Sequence, residues 1–364
     1  MRIIISGGGT GGHIYPALSL LKEFKKRESD IEILYVGSKH GLEADIVQKE
    51  GIPFFPLKVS GFKRKISWEN LRTVYRFING VSICKSLIRK FKPDIVIGTG
   101  GYVCAPVVYA ASKLSIPTLI HEQNVIPGLT NQFLSRYVDM VAVSFSGSEQ
   151  YFPAKKVKLT GNPRATEVAT AEAKQGFESL HILPEKKIVL VVGGSRGARP
   201  INETFLSMIP RLVELPDFHF VYVTGEVHYE KVVQRIGEHV PTNLSVYPFL
   251  YNMPEVLAAT SLIINRAGAS FLAEITALGL PSILIPSPYV TNNHQEKNAR
   301  WMEEQGASIM LLEKDLNEMA LFQAIHDLMN DETRLIHMSI KAKSLGKPEA
   351  AELLYKEAKA MLRA

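Results

Sequence analysis

Cysteine is scarce in this sequence, and long apolar runs are missing. The 364 residues include two cysteines, Cys84 and Cys104, whose spacing is neither paired nor metal-like, so we expect two reduced thiols and no disulfide framework. Apolar stretches such as residues 188–192 are far shorter than the roughly 20 residues needed to cross a bilayer. Residues 2–6 run directly into a glycine-rich loop, unlike a signal peptide. We therefore expect a cytoplasmic protein without a membrane-spanning segment.

Acidic residues are also outnumbered. The chain has 42 Lys and Arg against 36 Asp and Glu, a formal net charge of +6 and a pI of about 9.1. This excess favours anionic partners, such as nucleic acid, phosphorylated small molecules or acidic lipid. Apolar residues make up 46% of the sequence, which excludes a disordered or fibrous chain. At about 150 residues per domain, the length predicts two domains.

Short β-branched runs alternate with longer amphipathic stretches along the whole chain, which predicts an α/β fold with parallel sheets covered by helices. We expect one sheet from strands at 2–6, 31–36, 94–98, 117–120 and 140–143, and a second from 187–192, 219–223, 262–265 and 282–285. The Gly-Pro segment LTGNPR at 159–164 marks a boundary near residue 163. The predicted domains are therefore 1–163 and 164–346, and the last helix, at about 347–363, is free to pack back on the first.

A glycine-rich turn follows the first strand. Gly7, Gly9 and Gly12 have the G-x-G-x-x-G spacing, which lets backbone N–H groups and a helix N-terminus approach an anion. The spacing alone is weak, and tight strand-to-helix packing explains it equally well. A dinucleotide site also requires an acidic residue at the end of the second strand, where residues 35–38 read YVGS. No G-K-[ST] follows the glycines, so a Walker A loop is excluded.

Further glycine clusters end other predicted strands, at 98–102 and 193–197, and all should open toward one cleft. The second cluster contains Ser195, whose hydroxyl suits a pyrophosphate. In the segment 265–274, Glu274 is placed to accept two hydrogen bonds from a ribose diol, although a solvated helix position is the alternative. Amides gathered at 292–298 suit sugar recognition, or cap a helix.

The motifs together resemble the bacterial MurG glycosyltransferase family across essentially the whole chain. They are GGGTGGHIYPAL (7–18), GTGGY (98–102), HEQN (121–124), GNPR (161–164), GGSRGA (193–198), RAGASFLAE (266–274) and NNHQEKNA (292–299). The resemblance implies the GT-B architecture, two Rossmann-like domains facing an interdomain cleft. It also implies transfer of N-acetylglucosamine from UDP-N-acetylglucosamine to lipid I, with the acceptor on the first domain and the donor mainly on the second.

The resemblance assigns substrate roles by motif. Glu274 would hold the ribose, Leu250 would offer backbone groups to uracil, and Ser195 would contact the pyrophosphate. Arg164 and Arg266 would assist near the phosphates. The N-acetylglucosamine and its surroundings would be addressed by Thr10, Gly11, Gly12, Asn124, Ala269, Ser270 and Gln295. Arg196 and Phe271 depart from the residues that the family more often has, Gln and a hydroxyl residue, so no contact is assigned to them.

Transfer to a hydroxyl with inversion requires a base. We take His13 as the candidate, because the positive end of the following helix favours a neutral, proton-accepting ring; alternatively, His13 only orients the loop. Glu122, in HEQN, is the reserve base. Backbone N–H groups and arginines would stabilise the leaving UDP. With no Asp-x-Asp pair at a strand end, we expect no metal site and no cofactor, although assistance by a divalent cation remains compatible.

A basic and apolar segment lies between Lys58 and Lys92, with ten Lys and Arg against one acidic residue, Glu69. We interpret it as a membrane patch, in which apolar groups enter the headgroup region and cations attract anionic lipid at about 1 kcal/mol each. Its members are Phe62, Lys63, Arg64, Trp68, Leu71, Arg72, Tyr75 and Arg76. An amphipathic helix with a solvated basic face is the alternative. Nucleic acid is not expected, since no binding module accompanies the charge.

We therefore expect a peripheral protein on the cytoplasmic face of the cell membrane. Its expected partners are UDP-N-acetylglucosamine, lipid I and anionic inner-leaflet lipids, with room for cell-wall and division proteins. Three other functions stay open at this point: a GT-B transferase for another lipid acceptor, a sugar-nucleotide-binding scaffold without catalysis, and an oxidoreductase.

Overall fold

The protein is an α/β chain with two compact units. The computed structural model describes residues 1–61, 68–194, 196–238 and 240–362, and the side chains of 68–70 are left out of the description. Unit 1 comprises Met1–Arg164 and Glu349–Ala364, and unit 2 comprises Ala165–Pro348. Each unit is built around one parallel sheet with helices on both faces, which confirms the predicted fold class.

Unit 1 contains a seven-stranded sheet in the order β3-β2-β1-β4-β5-β6-β7. Its strands are β1 (Arg2–Gly7), β2 (Glu32–Ser38), β3 (Phe54–Leu57), β4 (Ile95–Gly100), β5 (Thr118–Glu122), β6 (Met140–Val143) and β7 (Val157–Leu159). Its helices are α1 (Gly11–Arg27), α2 (Leu42–Lys49), α3 (Trp68–Phe91), α4 (Cys104–Ser112) and α5 (Leu129–Leu134), with a 3₁₀ turn at Ser148–Tyr151; α6 (Arg164–Val168) begins at the boundary.

Unit 2 contains a six-stranded sheet in the order β10-β9-β8-β11-β12-β13. Its strands are β8 (Lys187–Val192), β9 (Phe218–Val223), β10 (Leu244–Tyr247), β11 (Thr260–Asn265), β12 (Ser282–Leu284) and β13 (Ser308–Met310). Its helices are α7 (Ala173–Leu180), α8 (Arg199–Met208), α9 (Glu226–Ile236), α10 (Met253–Ala259), α11 (Ala269–Leu278), α12 (His294–Glu304), α13 (Glu318–Met329) and α14 (Glu332–Leu345), with 3₁₀ turns at Ile209–Glu214 and Thr291–Asn293.

The central strands are apolar on both faces because helices cover both sides of each sheet. Successive residues of a strand point to opposite faces. Ile3 and Ile5 accordingly enter one core of unit 1, whereas Ile4 enters the core on the other face. The Ile3 pairing with Ile33 on β2 and Ile95 on β4 sets the register of the sheet centre.

The last helix, α15 (Ala350–Met361), packs on unit 1. Leu354 and Ala358 belong to the core beneath α1. The Tyr355 hydroxyl donates to Glu28 at 2.6 Å, and Lys359 pairs with the same carboxylate at 2.7 Å. The chain therefore returns to its first unit after completing the second.

The order of strands reverses direction once in each sheet. In unit 1 the reversal lies between β1 and β4, and in unit 2 between β8 and β11. Ligands of open α/β sheets bind outside the carboxyl ends of the strands at this switch point. All the glycine turns predicted to bind ligand follow one of these four strands. Among the described residues, none of the helices combines the length and the apolarity that crossing a bilayer requires.

Candidate functional site

The switch point of unit 1 joins two glycine turns. The N–H of Gly8, after β1, donates to the carbonyl of Gly100, at the end of β4, at 3.2 Å. A Cβ on Gly101 would lie 2.2 Å from the Gly8 oxygen. Residue 101 must therefore be glycine, because it has no room for a Cβ and because its φ is +84°. The two turns form one tightly packed platform.

His13 lies in the first turn of α1, directly above this platform. Its Nδ1 is 2.9 Å from the carbonyl oxygen of Gly8 and 3.3 Å from the Thr10 hydroxyl. A carbonyl oxygen only accepts, so Nδ1 is the donor, and the neutral ring then carries its lone pair on Nε2. Gly100 leaves room for the ring, because a Cβ there would lie 2.7 Å from Cδ2 and 3.0 Å from Nε2. This geometry suits a proton acceptor.

Glu122, the reserve base, is held in a buried network at the end of β5. The residue is 2% exposed. One carboxylate oxygen accepts from the backbone and side-chain amides of Asn124, at 3.0 and 3.2 Å, and the other accepts from Gly128 N–H at 3.1 Å and Asn131 Nδ2 at 2.8 Å. With both oxygens engaged, the carboxylate is better placed to order the turn 122–131 than to abstract a proton. Asn124 is positioned by it.

His121 and Gln123 extend the network beneath His13. His121 is fully buried; Nε2 donates to Gly161 O at 3.0 Å, and Nδ1 accepts from Gln123 Nε2 at 3.1 Å. Burial lowers the pKa of His121 to about 4, so the ring is neutral at pH 7. Gln123 Nε2 also donates to Thr99 O at 2.6 Å. These contacts tie β5 to the Gly100 turn.

Glu43 is a buried acidic residue that the sequence analysis missed. It lies in the first turn of α2 and is 0% exposed. One oxygen accepts from the Ser38 N–H and hydroxyl at 2.8 and 2.5 Å, and the other accepts from the Gly9 N–H at 3.1 Å. Nothing in the local sequence of α2 pointed to this contact, because Glu43 lies 34 residues from Gly9.

The glycine turn after β8 in unit 2 is crowded at both ends and open in the middle. A Cβ on Gly193 would lie 2.3 Å from Ala198 N, and one on Gly197 would lie 2.0 Å from the Thr224 oxygen. Gly194, with a φ of +98°, and Gly268, which precedes α11, have no atom of the described residues within 4 Å of a Cβ. Ser195, the predicted pyrophosphate contact, lies outside the described residues. The flanking Gly194 carbonyl accepts from Gly197 N–H at 2.9 Å, which closes the turn before α8.

Glu274 lies in the second turn of α11 and is 3% exposed. This burial excludes the alternative of a solvated helix residue. Ala269 begins the same helix, and the buried hydroxyl of Ser270 has no hydrogen-bond partner within the described residues. Asn265, 1% exposed at the end of β11, likewise has neither amide atom paired in that part of the chain. Polar groups therefore collect around the start of α11.

Other predicted donor residues have internal partners. Arg266 pairs with Glu313 at 2.6 Å and donates to Ile285 O at 3.0 Å, so its charge is partly compensated. Gln295 Oε1 accepts from Ser287 N–H at 2.9 Å, which directs its amide NH₂ elsewhere. Leu250 follows β10 and is 8% exposed. Arg164 lies in unit 1, with its guanidinium 5.7 Å from the ring centre of Tyr15.

The described part of the membrane patch lies on α3. Leu71, Tyr75 and Ile78 are 61%, 70% and 63% exposed and are spaced to share one helix face. Arg72 and Arg76 are exposed beside them. Phe62, Lys63, Arg64 and the side chain of Trp68 lie outside the description. An apolar stripe with flanking cations is thus present along the start of the helix.

No cluster of three or more His, Cys, Asp or Glu side chains arranged to hold a metal ion occurs in the part of the chain that the structure describes. Backbone N–H groups, helix N-termini and basic side chains at these turns are suited to stabilise negative charge.

Comparisons with known proteins agree with the fold. The glycosyltransferase family 28 N-terminal domain matches residues 3–143, and the C-terminal domain of that family matches residues 188–354. These matches define the chain as an α/β glycosyltransferase.

Similarity to individual proteins is high and runs the full length. The UDP-N-acetylglucosamine--N-acetylmuramyl-(pentapeptide) pyrophosphoryl-undecaprenol N-acetylglucosamine transferase of Halalkalibacterium halodurans is 57% identical, covering 98% of each chain, and that of Bacillus licheniformis is 56% identical, covering 98% of this chain and 97% of the relative. The crystal structure of Acinetobacter baumannii MurG is 27% identical with a TM-score of 0.80 over 99% of each chain. The chain belongs to the MurG family of glycosyltransferases.

Proposed function

We propose that this chain transfers N-acetylglucosamine from UDP-N-acetylglucosamine to the 4-hydroxyl of the N-acetylmuramyl residue of lipid I, with inversion, giving lipid II for peptidoglycan synthesis. The full-length relatives carry this substrate pair in their names. The structural observation that carries the proposal is the anchored His13 ring at the switch point of unit 1, with Nδ1 tied to Gly8 and Nε2 as the basic nitrogen.

The proposed step moves one proton and exchanges one bond. Nε2 of His13 takes the proton of the acceptor hydroxyl as that oxygen bonds to the anomeric carbon of the sugar. The bond from the anomeric carbon to the UDP oxygen breaks, and its electron pair leaves with UDP. A positioned general base of this kind contributes roughly 10²- to 10⁴-fold to a rate.

Unit 2 is proposed to hold the donor. Glu274 accepts the two ribose hydroxyls, for which a buried carboxylate with little competition from water is suited. Asn265 and Ser270 supply polar atoms that have no partner among the described residues, and Gln295 an amide for the sugar. The start of α8, with Ser195 and the preceding glycines, would meet the pyrophosphate. The predicted roles of Thr10, Gly11, Gly12, Leu250, Arg266 and Ala269 are retained.

The acceptor is proposed to bind unit 1 with its lipid directed to α3. A cavity of about 400 Å³ lies beside α3 and is lined mainly by apolar side chains, including Val74, Phe77, Tyr102, Pro106, Leu129 and Phe133. Tyr102 directly follows the Gly100 turn against which His13 packs. An acceptor reacting at His13 therefore has an apolar cavity within unit 1 for the first part of its chain. The exposed stripe of α3 would then rest on the anionic membrane surface.

Transfer tests the central proposal. Radiolabelled UDP-N-acetylglucosamine is offered with a short-chain lipid I analogue, and in parallel with diacylglycerol. We expect label in the lipid I analogue, joined through the anomer opposite to that of the donor as read by NMR. Label in diacylglycerol, or none in either lipid from a folded chain that binds UDP, would contradict the proposal.

Flotation with vesicles tests the membrane surface. The double variant Leu71→Asp/Tyr75→Asp should lose binding to phosphatidylglycerol vesicles. The matched control Leu183→Asp/Val213→Asp changes two equally exposed apolar residues of unit 2, at 70% and 71%, and should bind as the wild type does. Equal loss in both variants, or equal binding to phosphatidylcholine vesicles at low and high salt, would argue against an anionic-lipid patch on α3.

A further inference from the structure

One peptide group connects a buried carboxylate to the candidate base. The carbonyl oxygen of Gly8 and the N–H of Gly9 belong to the same peptide unit. The oxygen accepts from His13 Nδ1 at 2.9 Å, and the N–H donates to Glu43 Oε2 at 3.1 Å. Because a trans peptide directs its C=O and N–H to opposite sides, Glu43 lies on one side of the turn and His13 on the other.

We propose that Glu43 is a positioning residue for catalysis, acting on His13 through the Gly8–Gly9 peptide. The inference rests on the proposed function and on His13 as its base. The hydrogen-bonded series runs from the Glu43 carboxylate to the Gly9 N–H, through the peptide to the Gly8 oxygen, and on to His13 Nδ1–H. Hydrogen bonds in series polarise one another, so a negative charge behind the peptide makes its oxygen a stronger acceptor.

Two consequences follow for the base. The series fixes the tautomer with hydrogen on Nδ1, so Nε2 is the nitrogen that accepts the proton. It also stabilises the imidazolium that forms during transfer, in the way that a carboxylate bonded directly to histidine does in other enzymes. The proton stays on His13 Nε2 after the step, and Glu43 gains none.

The residues around Glu43 provide hydrogen-bond donors and space for its carboxylate. Its three hydrogen-bond partners, Ser38 N–H, Ser38 hydroxyl and Gly9 N–H, are all able to donate, as a carboxylate requires. The start of α2 also favours a negative side chain. Two neighbouring residues are glycine, and a Cβ on Gly8 or Gly41 would lie 2.3 Å from a carboxylate oxygen. An ordinary surface acid in a helix N-terminus needs no such space.

The same contact removes one N–H of this turn from ligand binding. The Gly9 N–H, which a G-x-G-x-x-G turn would offer to a phosphate, is already used by Glu43. This N–H is therefore assigned to holding Glu43 rather than an anion.

Glu43→Gln tests the proposal, because the amide keeps the shape but places an NH₂ or a neutral oxygen opposite the Gly9 N–H. We expect kcat to fall about 10- to 100-fold, by analogy with the loss of a carboxylate behind a metal-bound histidine, with KM for UDP-N-acetylglucosamine unchanged. Asp45→Asn is the matched control: it removes the same charge from the same helix turn at an exposed position and should leave kcat unchanged.

A spectroscopic readout separates this role from a structural one. In ¹⁵N spectra of the histidine rings, with the His13 signals assigned by their absence in His13→Ala, we expect Nδ1 protonated and Nε2 unprotonated in the wild type, and a mixture of tautomers in Glu43→Gln. If Glu43→Gln does not fold, Glu43→Asp, which keeps the charge but is too short to reach Gly9, should show the same mixture.

The outcomes distinguish the inference from the function it rests on. Suppose that the wild type makes lipid II and that Glu43→Gln has a normal kcat and an unchanged His13 tautomer. This result overturns the positioning role of Glu43 and leaves the proposed function standing. Loss of kcat with an unchanged tautomer also overturns it. A wild type without transfer activity contradicts the proposed function itself.

Discussion

The two units share the switch-point topology but differ in the contacts of their glycine turns. In unit 1 the glycine turn is internally paired: Gly8 bonds to Gly100 and His13, and Gly9 bonds to Glu43. In unit 2 Gly193 and Gly197 are also packed, but Gly194 and Gly268 have no atom of the described residues within 4 Å of a Cβ. Asn265 and Ser270 have polar atoms without partners in the same part of the chain. A satisfied turn is suited to holding one catalytic side chain rigidly, whereas an open polar turn is suited to receiving a ligand.

The largest effect is expected from His13→Ala in unit 1. If unit 1 performs the chemistry, transfer should fall about 10²- to 10⁴-fold, the usual contribution of a general base. UDP binding measured by calorimetry should stay unchanged. The exposed His40 provides a matched control as His40→Ala. Retained transfer in His13→Ala would show that His13 is not the base.

Alanine substitutions at the glycine turns should affect the two units differently. Gly100→Ala forces a Cβ against the His13 ring at a φ of +106°, and a displacement of about 1 Å at a reacting group costs about 10²-fold in rate. Gly194→Ala, at a φ of +98° with open space, should instead weaken UDP binding. Gly51→Ala is the control for backbone strain in unit 1, because Gly51 has a φ of +66° and no atom of the described residues within 4 Å of a Cβ. The same kinetic profile in all three variants would mean that the turns have no separate roles.

A smaller effect is expected from Glu274→Gln in unit 2. Hydrogen bonds to a charged group contribute about 1.5–3 kcal/mol, so losing the charge should weaken UDP-N-acetylglucosamine binding about 10- to 100-fold. Saturating donor should restore most of kcat. The exposed Glu304, changed to Gln, is the control. An unchanged dissociation constant for Glu274→Gln would place the ribose elsewhere.

The smallest effect concerns acid stability of unit 1. The folded-state pKa of His121, about 4, lies below the usual 6.5, so the unfolded chain binds the proton first as pH falls. The stability due to the neutral ring is full above pH 6.5 and is lost as pH falls toward 4. Between pH 7.5 and 5 this lowers the free energy of unfolding by about 2 kcal/mol.

His121→Asn should flatten that dependence. Urea unfolding is followed in a Trp301→Phe background, in which Trp68 of unit 1 is the remaining tryptophan of the two. If the unfolding free energy depends on pH equally with and without His121, another group causes the loss of stability at acidic pH.

The fold followed from the sequence where the pattern was strong. The predicted strand 187–192 is β8 as observed, and the other predicted strands coincide with β1, β2, β4, β5, β6, β9, β11 and β12 to within a few residues. The remaining strands are short and lie toward the sheet edges, and β7 has the sequence VKL. Strands of three or four residues are too short to show a clear alternation of apolar and polar residues.

The site was predictable only where function depends on local sequence. His13 and Glu274 follow glycine turns in the chain, so the motif itself points to them. Glu43 lies 34 residues from Gly9, and nothing local to α2 shows that its carboxylate reaches that N–H. The pairing of Arg266 with Glu313 is similarly distant in sequence. Such contacts arise from the sheet order, which brings separate strand ends together.

Single-turnover transfer at saturating UDP-N-acetylglucosamine tests the division between the two units most directly. With preformed donor complex and a short-chain lipid I analogue, the account predicts a rate near that of the wild type for Glu274→Gln and a rate lower by at least about 10²-fold for His13→Ala. The reverse order, or equal rates in the two variants, would contradict the claim that unit 1 performs the chemistry and unit 2 holds the donor.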